Sequence, residues 1–177
     1  MSKRQVLRGG IVLAAILAVA VFSGSGSVMG PSNNCTHVGT FHGESDSGAT
    51  WMAAITPGIS ATVGQMVVEW VRWDPTLMNN FPTAVRTTNP MGVWEKVNGK
   101  TYRWTWIAYG LAADGSVVYV VRASGVSTME DCDHWPFTYV TEVFLPSQDI
   151  STESPIAAFC GTGIETRMLL VQATCPY

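Results

Sequence analysis

From Thr101 the chain alternates strictly. Tyr102, Trp104, Trp106 and Ala108 share one face of an extended strand, and Thr101, Arg103, Thr105 and Ile107 share the other. A strand with three large aromatics on one face has to bury that face. The run ends at Ala113-Asp114-Gly115, an Asp-Gly turn signal, and Val117 to Ser124 returns as a hairpin partner rich in β-branched residues. Beyond the first thirty residues no window repeats apolar residues at helical spacing for three turns, whereas period-two alternation recurs. Val38–Gly43, Ala49–Thr56, Gln65–Trp73, Gly92–Val97, Phe137–Leu145 and Arg167–Thr174 are read as further strands, and Asn98-Gly99 as the turn joining Val97 to Thr101. The expected fold is all-β: a single antiparallel up-and-down meander closed into a roughly eight-stranded barrel, since closure removes exposed edges.

The longest irregular connection, Asp74 to Pro90, contains Pro75, Pro82 and Pro90 together with Met78 and Phe81. Connections of that length serve as lids or are disordered. The apolar residues favour a packed lid, with a helical turn around Thr76 to Asn80. Pro146 to Pro155 is polar and reads as a surface loop.

Lys3, Arg4 and Arg8 precede an apolar run from Ile11 to Phe22, and small residues follow from Ser23 to Ser27. These are the three parts of a secretory signal peptide, and the run falls short of the roughly 18 apolar residues a membrane span requires. Residues 1–30 are therefore expected to form a signal-peptide helix with a small-residue tail, and residues 31–177 a single β-barrel domain. The mature protein is expected to be secreted or held in the periplasm or cell envelope, with no membrane association after cleavage. Beyond residue 30, seven basic residues stand against thirteen acidic ones. The basic residues are scattered singly, which argues against a nucleic-acid partner.

Four cysteines in an exported chain suggest two disulfides. In a closed meander the first and last strands are neighbours, which pairs Cys35 with Cys175 and leaves Cys132 for Cys160. Cys160–Cys175 is the rival pairing. Glu130-Asp131-Cys132-Asp133-His134 is the densest ionisable cluster, and Asp133-His134 could serve as an acid–base pair. Consecutive turn residues rarely converge on one ion, however, and Asp is common in turns for its own hydrogen bonds. No metal site is expected, and no cofactor is implied. His37 and His42, five apart on a strand, face opposite sides. The chain has no Gly-x-Ser-x-Gly elbow, phosphate loop or metalloprotease His pair.

Gly39-Thr40-Phe41 and Gly92-Val93-Trp94 share a Gly-x-aromatic pattern, and Trp51 and Trp104 are separated by the same interval. Two half-barrels would explain this echo, as would chance similarity between hairpins. The pattern resembles the Gly-x-Trp signature that opens lipocalin and wider calycin barrels, and the meander is similar to allene-oxide-cyclase and dirigent barrels and to small exported bacterial barrel proteins with no assigned activity. The resemblance spans Val38 to Leu145 and implies a barrel with an apolar interior. In lipocalins the signature aromatic on the first strand is covered by an Arg near the end of the last. Here the corresponding residues are Phe41 and Arg167, with Arg167 placed at the start of the strand Arg167–Thr174.

Three functions follow from these readings. In the first, the interior binds a small apolar ligand beneath the Asp74–Pro90 segment, with Trp51, Trp104, Trp106, Tyr119 and Phe81 as its contacts, unless those aromatics simply fill the barrel. In the second, a cyclase or isomerase uses an inward carboxylate, with Glu69 the candidate. The third is a structural or adhesive envelope module with exposed Trp73 and Trp135 and no cavity. Arg122 and Glu69 discriminate: inward, they would floor a ligand site, and alternation places Arg122 outward.

Overall fold

The computed structural model describes residues 35–168. The segment read as a signal peptide, and Cys175, lie outside them. The described residues form nine strands and one short helix: β1 Gly39–Ser45, β2 Thr50–Pro57, β3 Val63–Arg72, α1 Pro75–Asn80, β4 Arg86–Thr87, β5 Met91–Lys96, β6 Thr101–Leu111, β7 Val117–Thr128, β8 His134–Phe144 and β9 Ala157–Arg167. Eight of the strands close a ring of antiparallel pairs in the order β1-β2-β3-β5-β6-β7-β8-β9, with β9 returning to β1. The two-residue β4 pairs with the far end of β6, where β5 has already stopped.

The two turn signals act as read. Gly115 takes φ +87° in the β6–β7 turn, and the Asn98 carboxamide accepts from the backbone of Lys100 and Thr101 between β5 and β6. The 74–90 segment carries α1, whose first turn is capped by Asp74 accepting from the Thr76 amide at 2.8 Å. Leu77 is the buried residue of this helix.

The last strand is a correction. It runs over Ala157–Arg167, not Arg167–Thr174. The interior glycines Gly161 and Gly163 weaken a strand signature in sequence, but here they serve the packing. Gly163 lies directly across from Phe137, and Gly161 from Tyr139. The same arrangement recurs around the ring: Gly43 faces Trp51, Gly64 faces Trp94, Gly125 faces Trp104 and Gly110 faces Tyr119. A Cβ on Gly43 would come within 2.2 Å of the Trp51 ring, and one on Gly125 within 2.2 Å of Trp104. An eight-stranded barrel has an interior only about as wide as its side chains. Laying six of its large rings over neighbouring glycines helps this one hold so many of them.

The disulfide is a second correction. Cys35 is bonded to Cys132, across a sequence separation of 97, which excludes both Cys35–Cys175 and Cys132–Cys160. Closure does bring β1 and β9 together. Because β9 ends at Arg167, the loop that reaches Cys35 is the one entering β8, one strand further round. Cys160 points outward from β9, is exposed and has no partner among the described residues.

Candidate functional site

The two ends of the barrel present different chemistry. At the end where β1 begins and β9 finishes, His37 lies on the segment before β1 with no exposed surface. The rings of Tyr102 (4.7 Å), Trp135 (4.8 Å), Phe41 and Trp94 (both 5.7 Å) surround it. Neither imidazole nitrogen has a hydrogen-bond partner among the described residues. Its Nε2 stands 3.7 Å from a Glu165 carboxylate oxygen, beyond hydrogen-bond distance. Arg167 closes this end. It lies over the Phe41 ring at 4.9 Å and donates to the carbonyls of Cys132, Val38 and Thr36. Gly39 makes room for it, since a Cβ there would approach Arg167 Nη1 to 2.6 Å. At Gly39-x-Phe41 the pattern thus has a physical reading: glycine admits the guanidinium that covers the aromatic two residues on, whereas at Gly92 the close neighbours are Thr105 and Trp106. Arg167 is at the end of the last strand and not at the start.

At the opposite end, α1 and Asp74 cover a cavity of about 30 Å³. Its walls include Trp51, Trp70, Trp104, Trp106, Phe137 and Glu165. A volume of that size holds one or two water-sized groups, far below the several hundred Å³ of a drug-sized site. Two carboxylates reach it. Asp74, 8% exposed, accepts from Thr76 N and from Ser47 Oγ at 3.1 Å; Glu165, 5% exposed, accepts from Trp51 Nε1 at 3.4 Å. Trp70 Nε1 is buried without a partner among the described residues. Above the cavity Tyr119 packs against Phe81 at 5.3 Å and Trp73 at 6.3 Å. Burial, reinforced by the Asp74 charge, pushes the Tyr119 hydroxyl well above the usual phenol range, and the hydroxyl has no hydrogen-bond partner among the described residues.

Of the residues singled out from sequence, Trp51, Trp104 and Trp106 line the cavity. Tyr119 and Phe81 belong to the neighbouring cluster beneath the lid, around Leu77, Val121 and Val143. Glu69 is a correction: it points outward from β3 and is exposed. The register Trp51↔Trp70 puts Trp70, Val68 and Met66 on the inner face instead. The inward carboxylate is Glu165, directly across from Trp135. Trp135 is a further correction, fully buried rather than an outer contact. Arg122 faces outward as expected and pairs with Glu142 at 2.8 Å. Glu165, Asp74 and Trp70 were missed. The available signal was the alternation Gly64-x-Met66-x-Val68-x-Trp70, which opens on a glycine as the Gly92-x-Trp94 strand does.

The Glu130–His134 cluster is a local turn. Asp131 accepts from the amides of Asp133 and His134 at 2.8 Å each and contacts His134 Nδ1 at 2.9 Å, so the ionisable pair is Asp131–His134 and not Asp133–His134. Those backbone bonds and His134 hold Asp131 below the usual carboxylate range, and Asp131 raises His134. No group of three or more potential metal ligands converges among the described residues.

No protein-family model matches this sequence, and no characterised protein matches it significantly. Among solved structures the chain is similar to one described as "Structure of EF1p2_mFAP2b bound to DFHBI", at 14% sequence identity and a TM-score of 0.49, covering 74% of this chain and 93% of that one.

Proposed function

We propose that this protein is a small-molecule-binding barrel whose ligand enters past α1 and rests among Trp51, Trp70, Trp104 and Trp106. The observation that carries the reading is the contrast in filling. At the His37 end four aromatic rings close on the imidazole, while under the lid the indoles leave a void that Trp70 borders, its Nε1 without a partner among the described residues. The cavity takes only a slim group, and the rest of the ligand displaces α1, which is anchored by Leu77. The ligand is largely apolar and carries a hydrogen-bond acceptor for Trp70 Nε1, because an orphaned buried donor costs about 1–3 kcal/mol. The Cys35–Cys132 bond supports a site of action outside the reducing cytosol.

Four of the seven tryptophans line the cavity, so intrinsic emission reports occupancy. Titrating the disulfide-linked protein with 1-hexanol should give a saturable one-to-one change in emission. Val68→Phe, which fills the cavity, should abolish it while circular dichroism stays native. No saturable change, or one that Val68→Phe leaves intact, would overturn the reading.

A further inference from the structure

We infer that the lid-end cavity recognises the positively charged head of a small amine. This deepens the reading above and rests on its premise that the cavity takes a ligand. The walls carry the argument. Four indole rings line the space, and the faces of indoles attract cations, more strongly when desolvated. Asp74 enters from the lid side and Glu165 from β9, both nearly buried.

Among the described residues no Lys or Arg lines the cavity, and neither carboxylate forms an ion pair with one. Glu165 has His37 behind it at 3.7 Å, on the side away from the lid. On the outer wall Glu142 is matched by Arg122, and Glu95 by Arg103. Buried carboxylates are normally satisfied by a counter-charge or a full set of donors. An ionised carboxylate offers about four lone-pair sites. Asp74 uses two of them, and Glu165 receives one donor, a long one. Asp74, Glu165 and the four indoles border the same volume. An ammonium group carries three donors and one charge and is close to the size of that void, so it meets both features at once. Trp70 Nε1 then receives an acceptor elsewhere on the ligand or a water.

The test compares two probes of nearly equal shape on the full disulfide-linked protein, n-hexylammonium and 1-hexanol, at fixed ionic strength, with tryptophan emission as readout. n-Hexylammonium should bind about tenfold more tightly or better, the scale of one charge-assisted contact, and n-hexanoate should not bind. Asp74→Asn and Glu165→Gln should each remove most of that advantage, read as the ratio of the hexylammonium and 1-hexanol affinities. Asn caps a helix as well as Asp does, so Asp74→Asn keeps α1 in place even if Glu165→Gln proves unstable. Equal affinities, or a preference for hexylammonium that survives both substitutions, would overturn the cation assignment and leave the binding reading standing. Failure of both probes would remove the two together.

Discussion

Around His37, four aromatic rings close on a fully buried imidazole, Arg167 ties three backbone carbonyls across strand ends, and a covalent bond joins Cys35 to Cys132. Under α1 the same residue types leave a void and two carboxylates without a Lys or Arg partner among the described residues, while buried nitrogens without a hydrogen-bond partner occur at both ends, on His37 and on Trp70. The cover there is a six-residue helix held by one buried leucine. The difference lies in what restrains each end. Cross-links and charge–backbone bonds make the His37 end a single arrangement, whereas the lid end relies on a few apolar contacts and short backbone links, the conditions under which a region opens locally.

The largest expected effect sharpens that contrast. Trp135→Ala removes a fully buried ring that touches His37, Phe41 and Tyr102. It should cost about 3–5 kcal/mol in urea unfolding. Cys132→Ser releases a loop of about a hundred residues and should cost about 2–5 kcal/mol, with the loss appearing as a lower melting temperature. At the other end Leu77→Ala should cost about 2 kcal/mol, the low end for a buried leucine, because the lid can settle into the space. Its signature should be faster amide exchange confined to the 74–87 segment. A Leu77→Ala cost equal to that of Trp135→Ala would break the comparison.

The smallest effect concerns the exposed turn that enters β8. Asp131 titrates below its ordinary range, so its contribution is present above that range and is lost as pH falls through the lowered value. His134 titrates above its ordinary range, so its contribution is present below that range and is lost as pH rises through the raised value. The pair therefore contributes between the two. In an NMR titration, Asp131→Asn should return the His134 midpoint toward its ordinary value, with little change in melting temperature.

Much of the barrel was legible because alternation and turn chemistry are local. Tyr102-x-Trp104-x-Trp106 and the Asp114-Gly115 turn define β6 and β7 without help from the rest of the chain. β9 was not legible, because Gly161 and Gly163 have no strand signature until Tyr139 and Phe137 are placed across from them. That single misplacement shifted the disulfide, put Arg167 at the wrong end of its strand and hid Glu165. The inner face of β3 was ambiguous for another reason: Val67 and Val71 are as apolar as Met66 and Val68, and only pairing with β2 selects Trp70 over Glu69. A cavity is a remainder after packing, so no residue pattern announces it.

Residue-resolved amide exchange on the free, disulfide-linked protein tests the division most directly. The account predicts that the amides of Met78, Phe81, Ala84 and Val85 exchange by local opening, well below the global unfolding free energy, while those paired around Trp135 and Phe41 exchange only on global unfolding. Equal protection at the two ends, or earlier opening at the His37 end, would contradict it.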